Sequence, residues 1–264
     1  MSGEGTLPNE LTVVGPGRIG SSIAEAAAAA GLTAHLCGRE LPPDQIEGKV
    51  VLLCVPDSAI TEVAGDIASS GCSPAVIGHT SGASPLTSLE SARARDGEFL
   101  FHPLQTFPEP GTPLDQVPVA ISGTTEEAVE LAANLARTLG GIPFAVPEET
   151  RAAYHAAASI GSNFLVTLEE SAAELLERAG VTDSRQALAP LLRTTLENWI
   201  ERGSLALTGP IVRGDEETVS AHREALASLD PEMLVLYDVL AERTRQLAAR
   251  VRGETGGSGD ADSQ

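Results

Sequence analysis

The chain has 264 residues, 42% apolar and 3% aromatic, with 26 Gly and 17 Pro, enough for one large or two modest domains cored by Ala, Val, Leu and Ile. Its formal charge is −20 and Lys49 is its single lysine, a balance that argues against nucleic-acid and anionic-membrane partners. Cys37, Cys54 and Cys72 have no metal spacing and are too few for a disulfide scaffold, and no apolar run makes a signal core or a membrane span, so a cytoplasmic protein without a metal is expected.

The first apolar strand, 11–14, runs into Val13-Val14-Gly15-Pro16-Gly17-Arg18-Ile19-Gly20 and then an Ala-rich helix through Ala30. Strand, G-x-G-x-x-G and helix in this order form the fingerprint of a dinucleotide site. Gly15 makes the tight turn, Gly17 lets backbone approach a pyrophosphate, and Gly20 lets helix and strand pack closely. Pro16, Arg18 and Ile19 complete the cofactor-binding turn, whose helix N-terminus offers free N–H groups and a positive dipole.

A second strand, 33–37, ends in Gly38-Arg39 without the acid that holds an NAD ribose. Arg39 offers a planar cation for a 2′-phosphate instead, so NADP(H) is the expected cofactor, the alternative being a solvated loop arginine. Strand 50–55 ends at Val55-Pro56, which is expected to border the cofactor, with Asp57 or Ser58 capping the next helix. Strand 74–78 leads into Gly78-His79-Thr80-Ser81-Gly82, where Thr80 and Ser81 either line the nicotinamide side or merely cap the sheet. Strand 99–101 opens Phe99-Leu100-Phe101-His102-Pro103-Leu104-Gln105-Thr106-Phe107. His102 and Gln105 among three of the chain's five Phe suggest a cleft wall, or a hydrophobic plug. Strands 117–121 and 142–146 close an α/β first half, a Rossmann dinucleotide-binding domain over 9–147.

From 148 to 252 the pattern is all-helical. A proline-free stretch over 150–179 predicts a helix of about 45 Å, with His155, Ser159 and Asn163 on one face at i, i+4, i+8. Such a polar stripe on an Ala-rich helix calls for water, a ligand or a helix–helix hydrogen bond. Gly180 ends that helix, and Asp183 is expected to cap the next, to about Arg202. Leu207-Thr208-Gly209-Pro210-Ile211-Val212-Arg213-Gly214-Asp215 is a rigid loop in which Arg213 could hold a carboxylate. Asp215 could orient Arg213, though capping a helix through Ala227 is its simpler role. Asp230-Pro231 starts the last helix, and 253–264 is expected to be a disordered acidic tail.

These motifs together resemble a bacterial Rossmann-like family whose helical half is a domain of unknown function, within the 6-phosphogluconate-dehydrogenase-like group that includes ketopantoate reductase and pyrroline-5-carboxylate reductase. The resemblance covers roughly 10–250, on the glycine turn, His102–Phe107 and Thr208–Asp215. It implies an NADP(H)-dependent reductase of a small carboxylate-bearing ketone or imine, ketopantoate first among them, and a homodimer through the helical domain, where Leu196 and Trp199 could lie. Ketopantoate reductases carry Lys-x-x-x-Asn-x-x-x-Asn on the first helix after the nucleotide domain. Here His155 and Ser159 stand in the first two places and only Asn163 is retained. The implied roles are therefore proton donation by His155, carbonyl orientation by Asn163, carboxylate binding by Arg213, and further substrate contacts from His102, Gln105, Ser159, Thr208 and Asp215. A non-catalytic NADP(H)-binding regulatory homodimer is the alternative that loss of the lysine supports.

Overall fold

The computed structural model describes residues 9–256, with side chains to residue 253. Seven strands form one sheet: β1 (Glu10–Val14), β2 (Thr33–Cys37), β3 (Val50–Leu53), β4 (Val76–His79), β5 (Glu98–Pro103), β6 (Pro118–Gly123) and β7 (Ile142–Ala145). All seven fall on the apolar runs that predict them. Their order is β2-β1-β3-β4-β5-β6-β7, parallel except at β5–β6, where His102 pairs with Ala120 in antiparallel register. The chain is of the Rossmann type, with a helical C-terminal part.

Helices cover both faces, which is why the strands read as continuous apolar runs rather than alternating ones. Val13, Leu52, Phe99 and Phe101 pack under α1 (Arg18–Ala29) and α4 (Glu126–Thr138). Val51, Leu53, Ile77 and Leu100 face the opposite way, with α3 (Ile60–Ser69) and a 3-10 segment, Leu86–Ala92. A short α2 (Pro43–Ile46) precedes β3. Because β1 lies between β2 and β3, the connections leave it in opposite directions, and the crevice outside the carboxyl ends of β1 and β3 is a topological switch point.

Neither Asp57 nor Ser58 caps α3. A 3-10 turn, Asp57–Ala59, intervenes, and backbone bonds such as Ala59 N–H to the Pro56 carbonyl (2.8 Å) do the work instead. Thr125 caps α4, its hydroxyl accepting from the Ala128 N–H at 3.1 Å.

The helix expected over 150–179 is interrupted. It comprises α5 (Arg151–Ser159), a π-helical turn (Ile160–Phe164) and α6 (Leu165–Arg178). The first of two compact units ends at Asn163, so it includes α5 as well as the sheet, and the second begins at Phe164.

The second unit continues with α7 (Ser184–Arg202), α8 (Pro210–Arg213), α9 (Glu216–Leu229) and α10 (Pro231–Gly256). Asp183 precedes α7 but does not cap it, because its backbone is left-handed (φ 55°) rather than extended. Asp215 and Asp230 do cap: their carboxylates accept from Thr218 N–H (3.1 Å) and Met233 N–H (3.0 Å). Residues 253–256 of the expected tail continue α10, and the rest of that tail lies outside the described residues. No helix among the described residues is long and apolar enough to cross a membrane.

Candidate active site

The glycine turn sits at the carboxyl end of β1, beside the switch point. Gly15 adopts φ +109°, a region that L side chains avoid, and a Cβ there would lie 2.4 Å from the Cys54 carbonyl oxygen. A Cβ at Gly20 would lie 2.0 Å from the Gly15 carbonyl oxygen, so α1 can start this close to β1 only with hydrogen there. A Cβ at Gly17 would meet nothing within 4 Å. That open flank lies at the N-terminus of a 12-residue helix whose first N–H groups receive no side-chain cap. Two tight glycines and one open one, with free N–H groups beside it, fit a pyrophosphate. The Arg18 guanidinium turns the other way, to the Phe107 and Pro108 carbonyls at 3.3 and 3.4 Å, and ties the β5–β6 loop to the turn.

A second cluster lies near the same edge, around Gly82 after β4, His102 on β5, and Tyr154 and His155 on α5. His102 Nδ1 lies 2.6 Å from the Tyr154 hydroxyl, with the rings edge to face at 5.5 Å. The His155 ring is edge-on to His102 at 6.1 Å, and Phe144 of β7 packs against Tyr154 at 5.9 Å. Gly82 is the spacer: a Cβ there would lie 2.7 Å from His155 Cδ2 and 2.9 Å from His102 Nε2. Burial, then the His155 ring, hold the His102 pKa down to about 4, so this imidazole is neutral near pH 7. Burial pushes the Tyr154 phenol up to about 12.

Arg151 fixes the start of α5. It is 2% exposed and donates to the Ser84 carbonyl (2.5 Å) and the Ser122 hydroxyl (2.8 Å), while pairing with Glu148. His79, at the end of β4, is fully buried, and among the described residues neither ring nitrogen meets a partner in good hydrogen-bond geometry. Burial and then the Arg151 charge hold its pKa down to about 4. It is a neutral imidazole beside a buried cation.

The structure thus brings together His102 and His155 among the expected substrate residues. Gln105 spends its amide N–H on the Pro113 carbonyl (2.9 Å), bracing the β5–β6 loop. Ser159 closes α5, and Asn163 lies in the π turn, whose wider turn takes it out of α-helical i+4 register with Ser159. The straight polar stripe is therefore broken at its third member. Arg39 is exposed at the end of β2, and Val55 and Pro56 follow β3 at the switch point. Thr80 and Ser81 are buried and engaged internally: Thr80 with Leu53, Ser81 with Ser84 and the Ala83 and Ser84 N–H groups. In the second unit, Thr208 and Arg213 are exposed, while Asp215 is committed to Thr218.

Sequence reasoning assigned no role to Tyr154, Gly82, Arg151 or the buried His79. Arg151 carried one signal, since a cation in the first turn of a helix opposes the dipole and needs another reason to be there.

Residues 117–244 match DUF2520, a domain of unknown function. The DUF2520 match begins one residue before β6, so it takes in the last two strands as well as helices, and it agrees with the resemblance to a Rossmann-like family with a C-terminal domain of unknown function. No curated protein matches the chain. Among solved structures, protein TM1727 from Thermotoga maritima is 25% identical, with a TM-score of 0.75, covering 92% of this chain and 99% of its own. A candidate NADP oxidoreductase, BF3122 of Bacteroides fragilis, is 24% identical with a TM-score of 0.74, covering 90% and 98%. Plasmodium falciparum pyrroline carboxylate reductase with NADP bound is 13% identical with a TM-score of 0.58, covering 92% and 100%. These likenesses establish the fold.

Proposed function

We propose that the chain is an NADP(H)-dependent reductase of a small carboxylate-bearing ketone or imine. One observation carries the reading: the open glycine turn and the paired imidazoles lie at the carboxyl edge of one sheet, where ligands bind in such folds. The NADP oxidoreductase and reductase names carried by chains of this fold support it. Gly15 and Gly20 shape the turn, Gly17 admits the pyrophosphate, and Arg39 faces a 2′-phosphate. A nicotinamide cofactor held there supplies a hydride.

The chain's own groups then handle the substrate. His155 donates the proton that the reduced oxygen or nitrogen needs, a task suited to imidazole near neutrality. His102 contacts the reacting group, and the part of Asn163 in orienting it rests on the sequence pattern, since the π turn takes Asn163 out of the stripe. The parts of Thr208, Arg213 and Asp215 in binding a carboxylate rest on sequence alone. A homodimer through the helical part is supported by Leu196, Trp199 and Ile200 on α7, which are 47%, 60% and 69% exposed.

The test is oxidation of NADPH with ketopantoate and with pyrroline-5-carboxylate as substrates. Saturable turnover is expected with one of them, falling at least about 100-fold in His155→Ala. Turnover that survives both His155→Ala and Asn163→Ala would overturn the residue assignment. Tight NADPH binding without turnover of any 2-oxo acid or cyclic imine would favour the regulatory reading.

A further inference from the structure

Beyond the expected proton donor, the cluster contains a residue whose position gives the site a polarity. The Tyr154 hydroxyl and His102 Nδ1 are 2.6 Å apart and share one hydrogen bond. Its direction follows from the two groups. An imidazole nitrogen lone pair is a stronger acceptor than a phenolic oxygen, and a phenol is a stronger donor than a neutral imidazole. Tyr154 therefore donates to Nδ1, and the proton of the neutral ring sits on Nε2. Nε2 is also the His102 atom closest to where a Gly82 Cβ would stand, at 2.9 Å, next to His155 Cδ2 at 2.7 Å. Phe144 holds the Tyr154 ring from behind, and Arg151, one turn earlier on α5, anchors the helix that carries it.

We infer that Tyr154 is a positioning residue that locks His102 as an Nε2–H donor on the edge of the ring that faces Gly82, and that this selects a ketone over a protonated cyclic imine as substrate. The inference rests on the reductase reading and deepens it. A carbonyl oxygen offers lone pairs to an N–H donor, and its developing negative charge strengthens that bond as it is reduced. A protonated imine presents a cationic N–H, so two donors would face each other and each would lose its partner. The low pKa of His102 agrees with the same geometry, since a ring that does not take up a second proton remains a single-proton donor. The groups facing the ring are Tyr154, His155 and the more distant Asp57.

The experiment uses the full chain with 15N-labelled histidine. Nitrogen-detected spectra near neutral pH are expected to show His102 as the neutral Nε2–H tautomer, and Tyr154→Phe is expected to relax it to a tautomer mixture. With oxidised NADP present, ketopantoate is expected to shift the His102 Nε2–H signal, and pyrroline-5-carboxylate to leave it unmoved. In turnover, Tyr154→Phe is expected to lower kcat by about tenfold at unchanged KM for NADPH. An Nδ1–H tautomer in the parent protein overturns the inference, as does a signal that ignores ketopantoate or answers the imine. The two failures are separable. If NADPH is never oxidised while tautomer and ketone response hold, the reductase reading falls and the ketone-donor assignment stands. If NADPH is oxidised and the tautomer is Nδ1–H, only the present inference falls.

Discussion

The glycine turn at Gly15–Gly20 is shaped by backbone, its own and that of Cys54, whereas the imidazole cluster is assembled from side chains on separate segments. In the turn, the close distances are to carbonyl oxygens of Cys54 and Gly15, atoms that cannot yield without moving a strand. In the cluster, the atoms nearest Gly82 are the ring tips of His155 and His102. Backbone-built geometry is rigid and intolerant of substitution. Side-chain-built geometry keeps its fold but can lose its alignment.

The sharpest way to break this comparison is to add one methyl group within the turn. Gly20→Ala is expected to destabilise the protein by at least about 3 kcal/mol, because its Cβ would sit 2.0 Å from the Gly15 oxygen and α1 must be pushed off β1. Gly17→Ala has open space and a negative φ, so it should leave the melting temperature within about a degree or two while weakening NADPH binding at least about tenfold. Thermal unfolding and fluorescence titration of NADPH separate the two outcomes. Equal destabilisation by both substitutions would show that the turn is not built as described.

The same contrast explains what could be read from the sequence. Val50–Leu53 is apolar at every position because both faces are covered, so the strands announced themselves, though their order in the sheet did not. The glycine turn was equally legible, since its motif stands in consecutive residues, although the Cys54 carbonyl that crowds Gly15 does not. Tyr154 and His102 are 52 positions apart and meet only because β5 and α5 converge, a contact that no spacing rule reports. The π turn at Ile160–Phe164 contains no proline, and Gly161-Ser162 within it was the one local mark of a break in the predicted stripe. Arg151 showed only a charge set against the helix dipole, although it is buried and bound to two segments distant in sequence.

Acid should separate the two regions next, because the turn contains no histidine and the cluster with its neighbour His79 is imidazole-rich. In the folded chain burial holds the pKa of His79 and of His102 down to about 4, below the ordinary imidazole value of about 6.5. As pH falls below about 6.5 the unfolded chain takes up protons that the folded chain refuses, so stability is lost between about 6.5 and 4 and the dependence ends below about 4. For the fully buried His79, faced by Arg151 and more weakly by Asp57, the loss should be on the order of 2–3 kcal/mol. Denaturant titrations from pH 7.5 to 4 test this. His79→Leu, which suits the surrounding Leu53 and Leu100, should flatten about half of the slope. An unchanged slope in that variant would mean that the acid sensitivity arises elsewhere.

The smallest change in stability, with a large change in chemistry, is expected at Gly82. A methyl group there meets His155 Cδ2 at 2.7 Å and His102 Nε2 at 2.9 Å, both on side chains. His102 is held by Tyr154, so His155, with no such hydrogen bond among the described residues, should be the ring that yields. Relieving the contact by such a rotation costs about 1 kcal/mol or less, well below the cost at Gly20. The rotation nevertheless separates the two imidazoles and fills the space between them, so turnover of a ketone should fall more than about tenfold while the melting temperature barely moves. Thermal unfolding and NADPH oxidation measured on one preparation of Gly82→Ala decide the matter. A loss of stability as large as that of Gly20→Ala would mean that the cluster is as rigid as the turn, and that the orientation of His155 is imposed by the fold around it rather than by the hydrogen left at Gly82.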